Sequence, residues 1–159
     1  MTVKDTDLGF KKIKEQLSKF EKLQVWVGFQ GNEGQEQAGD SRLTVVDVAT
    51  FNEFGTQNSP ARPFLRKAMD ENRDVIGRAF EQAVRDVVDR KVSAVQAAAR
   101  LGELGVSLVK RKIVSLKDPP NAPATVARKG SSNPLVDTGQ LLQSVTYTVR
   151  EGNRVLRSG

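Results

Sequence analysis

The feature that most constrains this chain is the stretch from Phe64 to Leu116, which is almost continuously helix-favouring. Drawn as one helix at 1.5 Å per residue it would be roughly 80 Å long, too long for a compact domain of this size. The stretch must therefore break and fold back on itself. The expected break lies near Asp89–Ser93, because Ser93 followed by Gln96 matches a capping box, in which each side chain satisfies an orphan backbone amide at a new helix start. Gly102 and Gly105 fall inside the second helix, where each costs about 1 kcal/mol relative to alanine. A neighbouring element approaching closely at that point would offset the cost.

The flanking segments supply what such helices can pack against. Phe10, Ile13, Leu17 and Phe20 recur at helical spacing with lysines between them, predicting an amphipathic helix over 6–22. Leu23, Val25, Val27 and Phe29 then alternate as in a half-buried strand. Residues 30–42 hold no large apolar group and read as a long acidic loop. Val45–Phe54 reads as a short helix, closed at Gly55 by a left-handed cap. Thr56–Pro63 is an irregular connector, since Pro60 and Pro63 oppose helix there. Residues 117–136, with four of the six prolines, form a second long connector with room for one helical turn at Ala124–Lys129. Asp137 with Gln140 resembles another capping box and predicts a short helix through Gln143. Val145, Tyr147 and Val149 alternate as a strand, Glu151–Asn153 form a turn, and Arg154–Arg157 return as a hairpin partner. The class is α+β: one domain over 1–159, with a small, mostly antiparallel sheet of three or four strands packed against two or more helices. Loops as long as 30–42 and 117–136 are expected to become ordered against partners.

The chemistry available is narrow. The chain has neither cysteine nor histidine, so thiol nucleophiles, thiolate metal sites, disulfides and the commonest neutral-pH base are missing. Ser107 and Lys110 match Ser-x-x-Lys, but its companion motifs are missing and the pair reads as one face of a surface helix. Asp86 with Asp89, and Asp70 with Glu71, have arginines at helical spacing and read as solvated ion-pair faces. The glycines at 28, 31 and 34 lead into an acidic loop without Gly-Lys-Ser/Thr, so a phosphate loop is not expected. No enzyme activity, metal or cofactor is expected. No apolar run approaches the roughly 18 residues of a membrane span, and the first residues lack a signal-peptide core, so the chain is expected to stay in the cytosol where it is made. The net charge is +6, but residues 30–60 carry −4 and residues 108–130 carry +5. The basic concentration is Lys110, Arg111 and Lys112, with Lys117, Arg128 and Lys129 nearby. Three successive helical residues point in different directions, so one groove-reading face is not implied.

Three ordered blocks carry a resemblance. Asn52-Glu53-Phe54-Gly55-Thr56 precedes Pro60-Ala-Arg-Pro-Phe-Leu-Arg66, which runs into Met69-Asp-Glu-Asn72. Pro119-Pro-Asn-Ala-Pro-Ala-Thr-Val-Ala-Arg-Lys-Gly130 and Pro134-Leu-Val-Asp-Thr-Gly-Gln-Leu141 follow, and then a strand. In this order the chain, over about residues 23–150, resembles the small neck and tail-completion proteins of tailed bacteriophages: the tail-component family of lambdoid neck proteins and the virion-morphogenesis proteins of Mu-like phages. The resemblance implies a non-enzymatic structural virion protein acting as a head–tail connector in tail assembly. It would form a homo-oligomeric ring between the portal-side connector or adaptor protein and the tail terminator or tail tube protein, with genomic DNA passing through the lumen. Its place would be the virion, after assembly in the host cytoplasm.

Within that reading, ring closure is expected to be heterologous, one surface of a subunit meeting a different surface of the next. Phe54, Pro63, Phe64 and Leu65 are expected to organise the turn beneath the long helix. Arg62 and Arg66 are expected to form intersubunit ion pairs with the acidic 30–60 segment, and the acidic 30–60 and basic 108–130 segments resemble two halves of a subunit contact. The short last strand leaves an edge that a neighbouring subunit could complete by strand addition. The alternative is a nucleic-acid-binding module that uses residues 108–130, with Lys110, Arg111, Lys112, Arg128 and Lys129 contacting DNA or an acidic partner.

Overall fold

A computed structural model describes residues 9–38, 42–123, 126, 127, 133, 135 and 139–159. The chain runs α1 (Phe10–Glu21), β1 (Leu23–Phe29), α2 (Gly31–Gln35), α3 (Val45–Phe54), α4 (Phe64–Asp70), α5 (Arg73–Val88), α6 (Ala94–Ser115), α7 (Gln140–Gln143), β2 (Val145–Glu151) and β3 (Arg154–Ser158). The three strands form one antiparallel sheet in the order β1-β2-β3, so the fold is α+β.

The long helical stretch breaks twice rather than once. The expected break is present: Ser93 Oγ accepts from the Gln96 amide at 3.3 Å, and Gln96 Oε1 accepts from the Ser93 amide at 2.9 Å. Gln16 of α1 adds a further cap, its Oε1 accepting from the Ala94 amide at 3.0 Å. The second break, at Glu71–Asn72, lies between α4 and α5. Asn72 is the local cause, because its side-chain amide donates to the Ala68 carbonyl at 2.8 Å and competes with the backbone ladder.

α6 lies across one face of the sheet. A Cβ on Gly102 would overlap the ring of Tyr147, and one on Gly105 would sit 2.7 Å from Val27 Cγ2. The bare helix surface thus brings α6 down onto β1 and β2, where Val25 faces Val149 and Val27 faces Tyr147 in register. Val109 and Ile113, on the C-terminal half of α6, join Val45, Phe64, Leu135 and Leu141 in one core. Ala94, Ala97 and Ala98, on its N-terminal half, join Phe20, Val87, Tyr147 and Val149 in a second. Fully burying a side chain such as Ile113 or Phe64 contributes about 1.5–3 kcal/mol.

Two local expectations are corrected. The 30–42 stretch is not wholly a loop: it contains α2, which folds back because Gly34 has no side chain to strike Val46 Cγ2, 2.9 Å from where a Cβ would stand. Gly55 has φ 78° and ψ 173°, an extended positive-φ conformation open essentially to glycine alone, and not the left-handed helical cap. α7 is entered from Gly139 at φ 80°, the Gln140 side chain donates to the Gln37 carbonyl at 2.7 Å, and the anticipated capping box rests on Asp137. Asp137 and most of the anticipated turn at 124–129 lie outside the described residues. The hairpin forms as expected, with Gly152 at φ 56° in a two-residue loop between Glu151 and Arg154.

Two glycine substitutions test the seat of α6. Gly102→Ala should lower stability by about 1–3 kcal/mol through overpacking against Tyr147. Gly77→Ala, in α5 where nothing lies within 4 Å of the added methyl, should raise it by about 0.5–1 kcal/mol. Urea denaturation of both variants checks this, and equal effects would contradict the packing described.

Candidate interaction site

The three sequence blocks that stand out by motif meet at one corner between α3 and α4. α3 starts from Thr44, whose hydroxyl accepts from the Asp47 amide at 3.2 Å while Asp47 Oδ2 accepts from the Thr44 amide at 2.9 Å. The Thr44 amide, and then its hydroxyl, hold the Asp47 carboxyl below its ordinary value of 3.8. At the other end of α3 the chain turns sharply at Gly55, where a Cβ would stand 2.8 Å from the Ala61 nitrogen. The connector then returns, and the Arg62 amide donates to the Asn52 carbonyl at 2.6 Å.

Glu53 and Arg62 lock the corner from inside. Glu53 is only 6% exposed, and its two carboxylate oxygens accept from the Leu65 and Arg66 amides at 2.9 and 3.1 Å. These are otherwise orphan donors in the first turn of α4, where helix polarity also favours a negative charge. Arg62 is 5% exposed and reaches the opposite way. Its Nε and Nη2 donate to the Pro119 and Pro120 carbonyls at 2.8 and 2.9 Å, tying the second connector to the first. Burial pushes the guanidinium pKa down from its ordinary value. Phe64 is fully buried and meets Phe29 edge-on at 6.1 Å.

This geometry redistributes the anticipated interface residues. Arg62 and Phe64 are internal, so neither is available to another subunit: one is bound to carbonyls of its own chain, the other fills the core. Pro63 is half-buried. Phe54, 67% exposed, and the exposed Arg66 remain on the surface with half-buried Leu65. Together with Phe29, Val46 and Thr50 they line an open groove of about 360 Å³.

Among the described residues the basic cluster does not form one face. Lys112 is paired with Glu71, Lys110 is half-buried, and Arg111 and Lys117 are exposed. Arg128 and Lys129 lie outside the described residues. Of the acidic pairs, Asp70 meets an arginine at helical spacing as expected, Arg73 at 2.7 Å, whereas half-buried Asp86 reaches Arg100 of α6 at 3.1 Å and Asp89 takes Lys91 at 2.8 Å. Asp89 raises the Lys91 pKa by hydrogen bonding and by charge. Among the described residues no group of three or more acidic side chains is placed to hold a metal ion, and no helix is long and apolar enough to cross a membrane.

A second surface was not singled out by motif. On the open face of the sheet the Arg150 guanidinium lies 4.6 Å from the centre of the Trp26 ring, and Thr148 donates to Gln30 Oε1 at 2.6 Å. The alternation of Trp26 with Val25 and Val27 places it on this face, but the pairing with Arg150 depends on strand register. Comparison with known proteins finds no matching family, no similar curated protein and no similar solved structure.

Two measurements test the corner. Glu53→Ala, which leaves two partly buried helix-end amides without their acceptor, should cost about 1–3 kcal/mol in urea denaturation, and Glu53→Gln, which keeps one acceptor oxygen, should cost less. Asp47, with its folded pKa depressed, contributes stability that is full above 3.8 and is lost as pH falls through the lower folded value. The stability gap between wild type and Asp47→Asn should therefore narrow as pH drops below 3.8; a gap constant to pH 2 would contradict the role of this carboxylate.

Proposed function

We propose that this chain is a non-enzymatic structural protein of the head–tail junction of a tailed bacteriophage. It forms a homo-oligomeric ring that joins the portal-side connector to the tail terminator or tube and lets DNA pass through its lumen. The observation that carries this reading is that the blocks resembling neck and tail-completion proteins converge in space. Glu53 of the first block caps the helix opened by the second, and Arg62 of the second holds Pro119 and Pro120 of the third. Leu135 and Leu141 enter the core that contains Phe64. Residues that cooperate in one corner are the ones a shared fold requires, which supports the ordered resemblance over a chance match of short motifs.

The nucleic-acid-binding alternative draws less support, since Lys112 is engaged by Glu71 and its neighbours on α6 point elsewhere. Electron microscopy of virions produced with and without the chain tests the proposal. The expected result is a ring of density at the head–tail junction and, without the chain, filled heads and free tails. Joined, infectious particles lacking the chain would overturn it.

A further inference from the structure

The face of the sheet opposite α6 carries a cation that the described chain does not neutralise. Register sets Trp26 opposite Thr148 and Val155 opposite Arg150 on this open face, while Glu151, Arg154 and Arg157 take the α6 side with Val149. Arg150 is therefore the one charged strand residue of the open face. It enters no ion pair among the described residues.

Arg150 is nonetheless held in place. Its guanidinium lies over the Trp26 ring, its Nε donates to Thr148 Oγ1 at 3.1 Å, and its Nη2 donates to Gln30 Oε1 at 3.4 Å. Gln30 is fixed in turn: its Nε2 donates to the Trp26 carbonyl at 2.9 Å, and its Oε1 accepts from Thr148, which is only 8% exposed. Both acceptors are neutral oxygens, so they orient the arginine without cancelling its charge. They engage two of the five guanidinium N–H groups, which leaves three donors at its free end, two of them on Nη1. A groove of about 330 Å³ opens beside it, lined by Gln30, Thr146, Thr148, Val155 and Ser158 and by no carboxylate.

A planar guanidinium presented by its end matches a carboxylate, which accepts two parallel hydrogen bonds from it. Holding the arginine in advance lowers the ordering cost of that contact. Nucleic acid is a poorer match, because its row of phosphates calls for several cations and this face has one. Trp26 and Val155, each about half exposed, offer apolar surface to the residues that flank a single acidic side chain. We infer that the open face of the sheet docks an acidic segment of a partner polypeptide, one Asp or Glu carboxylate entering the groove and taking the free end of Arg150. Such docking holds whether or not the chain forms a ring.

Two probes test it, the peptide acetyl-Gly-Glu-Gly-amide and its glutamine counterpart. Trp26 is the only tryptophan, so its indole N–H gives a single assignable signal in proton–nitrogen correlation NMR. The glutamate peptide should shift the Trp26 and Arg150 side-chain signals saturably, with a millimolar Kd about tenfold tighter than that of the glutamine peptide. Gln30→Glu supplies a carboxylate to Arg150 from within the chain; it should stay folded by circular dichroism and weaken the glutamate peptide about tenfold. Arg150→Gln should erase the preference for glutamate, and if that variant loses its fold, Gln30→Glu keeps the test. Equal binding of the two peptides, no saturable shift up to about 50 mM peptide, or binding undiminished by Gln30→Glu overturns the docking site. Inorganic phosphate or a single-stranded oligonucleotide that moves the same signals at lower concentration than the glutamate peptide overturns the polypeptide as its occupant.

Discussion

The contact on which the other elements depend is the close approach of α6 to the sheet at Gly102 and Gly105. Without side chains there, the helix axis settles against Tyr147 and Val27, and the residues on either side of the glycines become the floor of two cores. α1 and α5 pack on the N-terminal half of α6; α3, α4 and α7 contribute to the core around its C-terminal half. The helix-propensity cost of two internal glycines, about 1 kcal/mol each, is small beside the apolar area this seating removes from water.

The α3–α4 corner solves a different problem, the placing of a sharp reversal next to a core. A reversal leaves helix-end amides and carbonyls unpaired, and burying them unpaired is expensive. Glu53 supplies the acceptors for α4, Asn52 takes the returning Arg62 amide, and Arg62 satisfies carbonyls of a connector more than fifty residues away. The charged residues of this corner are thus fold determinants whose removal leaves partners stranded. The surface chemistry passes to Phe54, Leu65 and Arg66, which the same reversal turns outward around the groove.

Much of this was legible in the chain, and the parts that were not share a cause. Helical and alternating periodicities located α1, β1, α3 and β2, the Glu151–Asn153 turn located β3, and Ser93 with Gln96 located the start of α6, because each signal is local. The break at Asn72 and the small helix α2 escaped, since they depend on a side chain choosing a backbone carbonyl and on a glycine fitting beneath Val46. Arg62 was read as a surface cation because charge is visible in sequence and burial is not. Likewise nothing local to Gln140 announces its hydrogen bond to the Gln37 carbonyl, 103 residues away in the chain.

By itself the sequence determined the fold class, the need for the long helical stretch to break, and the two glycines that had to lie under a neighbour. Those follow from periodicity, helix length and backbone propensity, all properties of contiguous residues. The tertiary structure alone decided which neighbour covers the glycines, which charged residues are internal ties, and which apolar residues stay exposed. Those outcomes depend on distances between segments far apart in the chain, such as Arg62 to Pro119 and Tyr147 to Gly102, and on the loss of water around them.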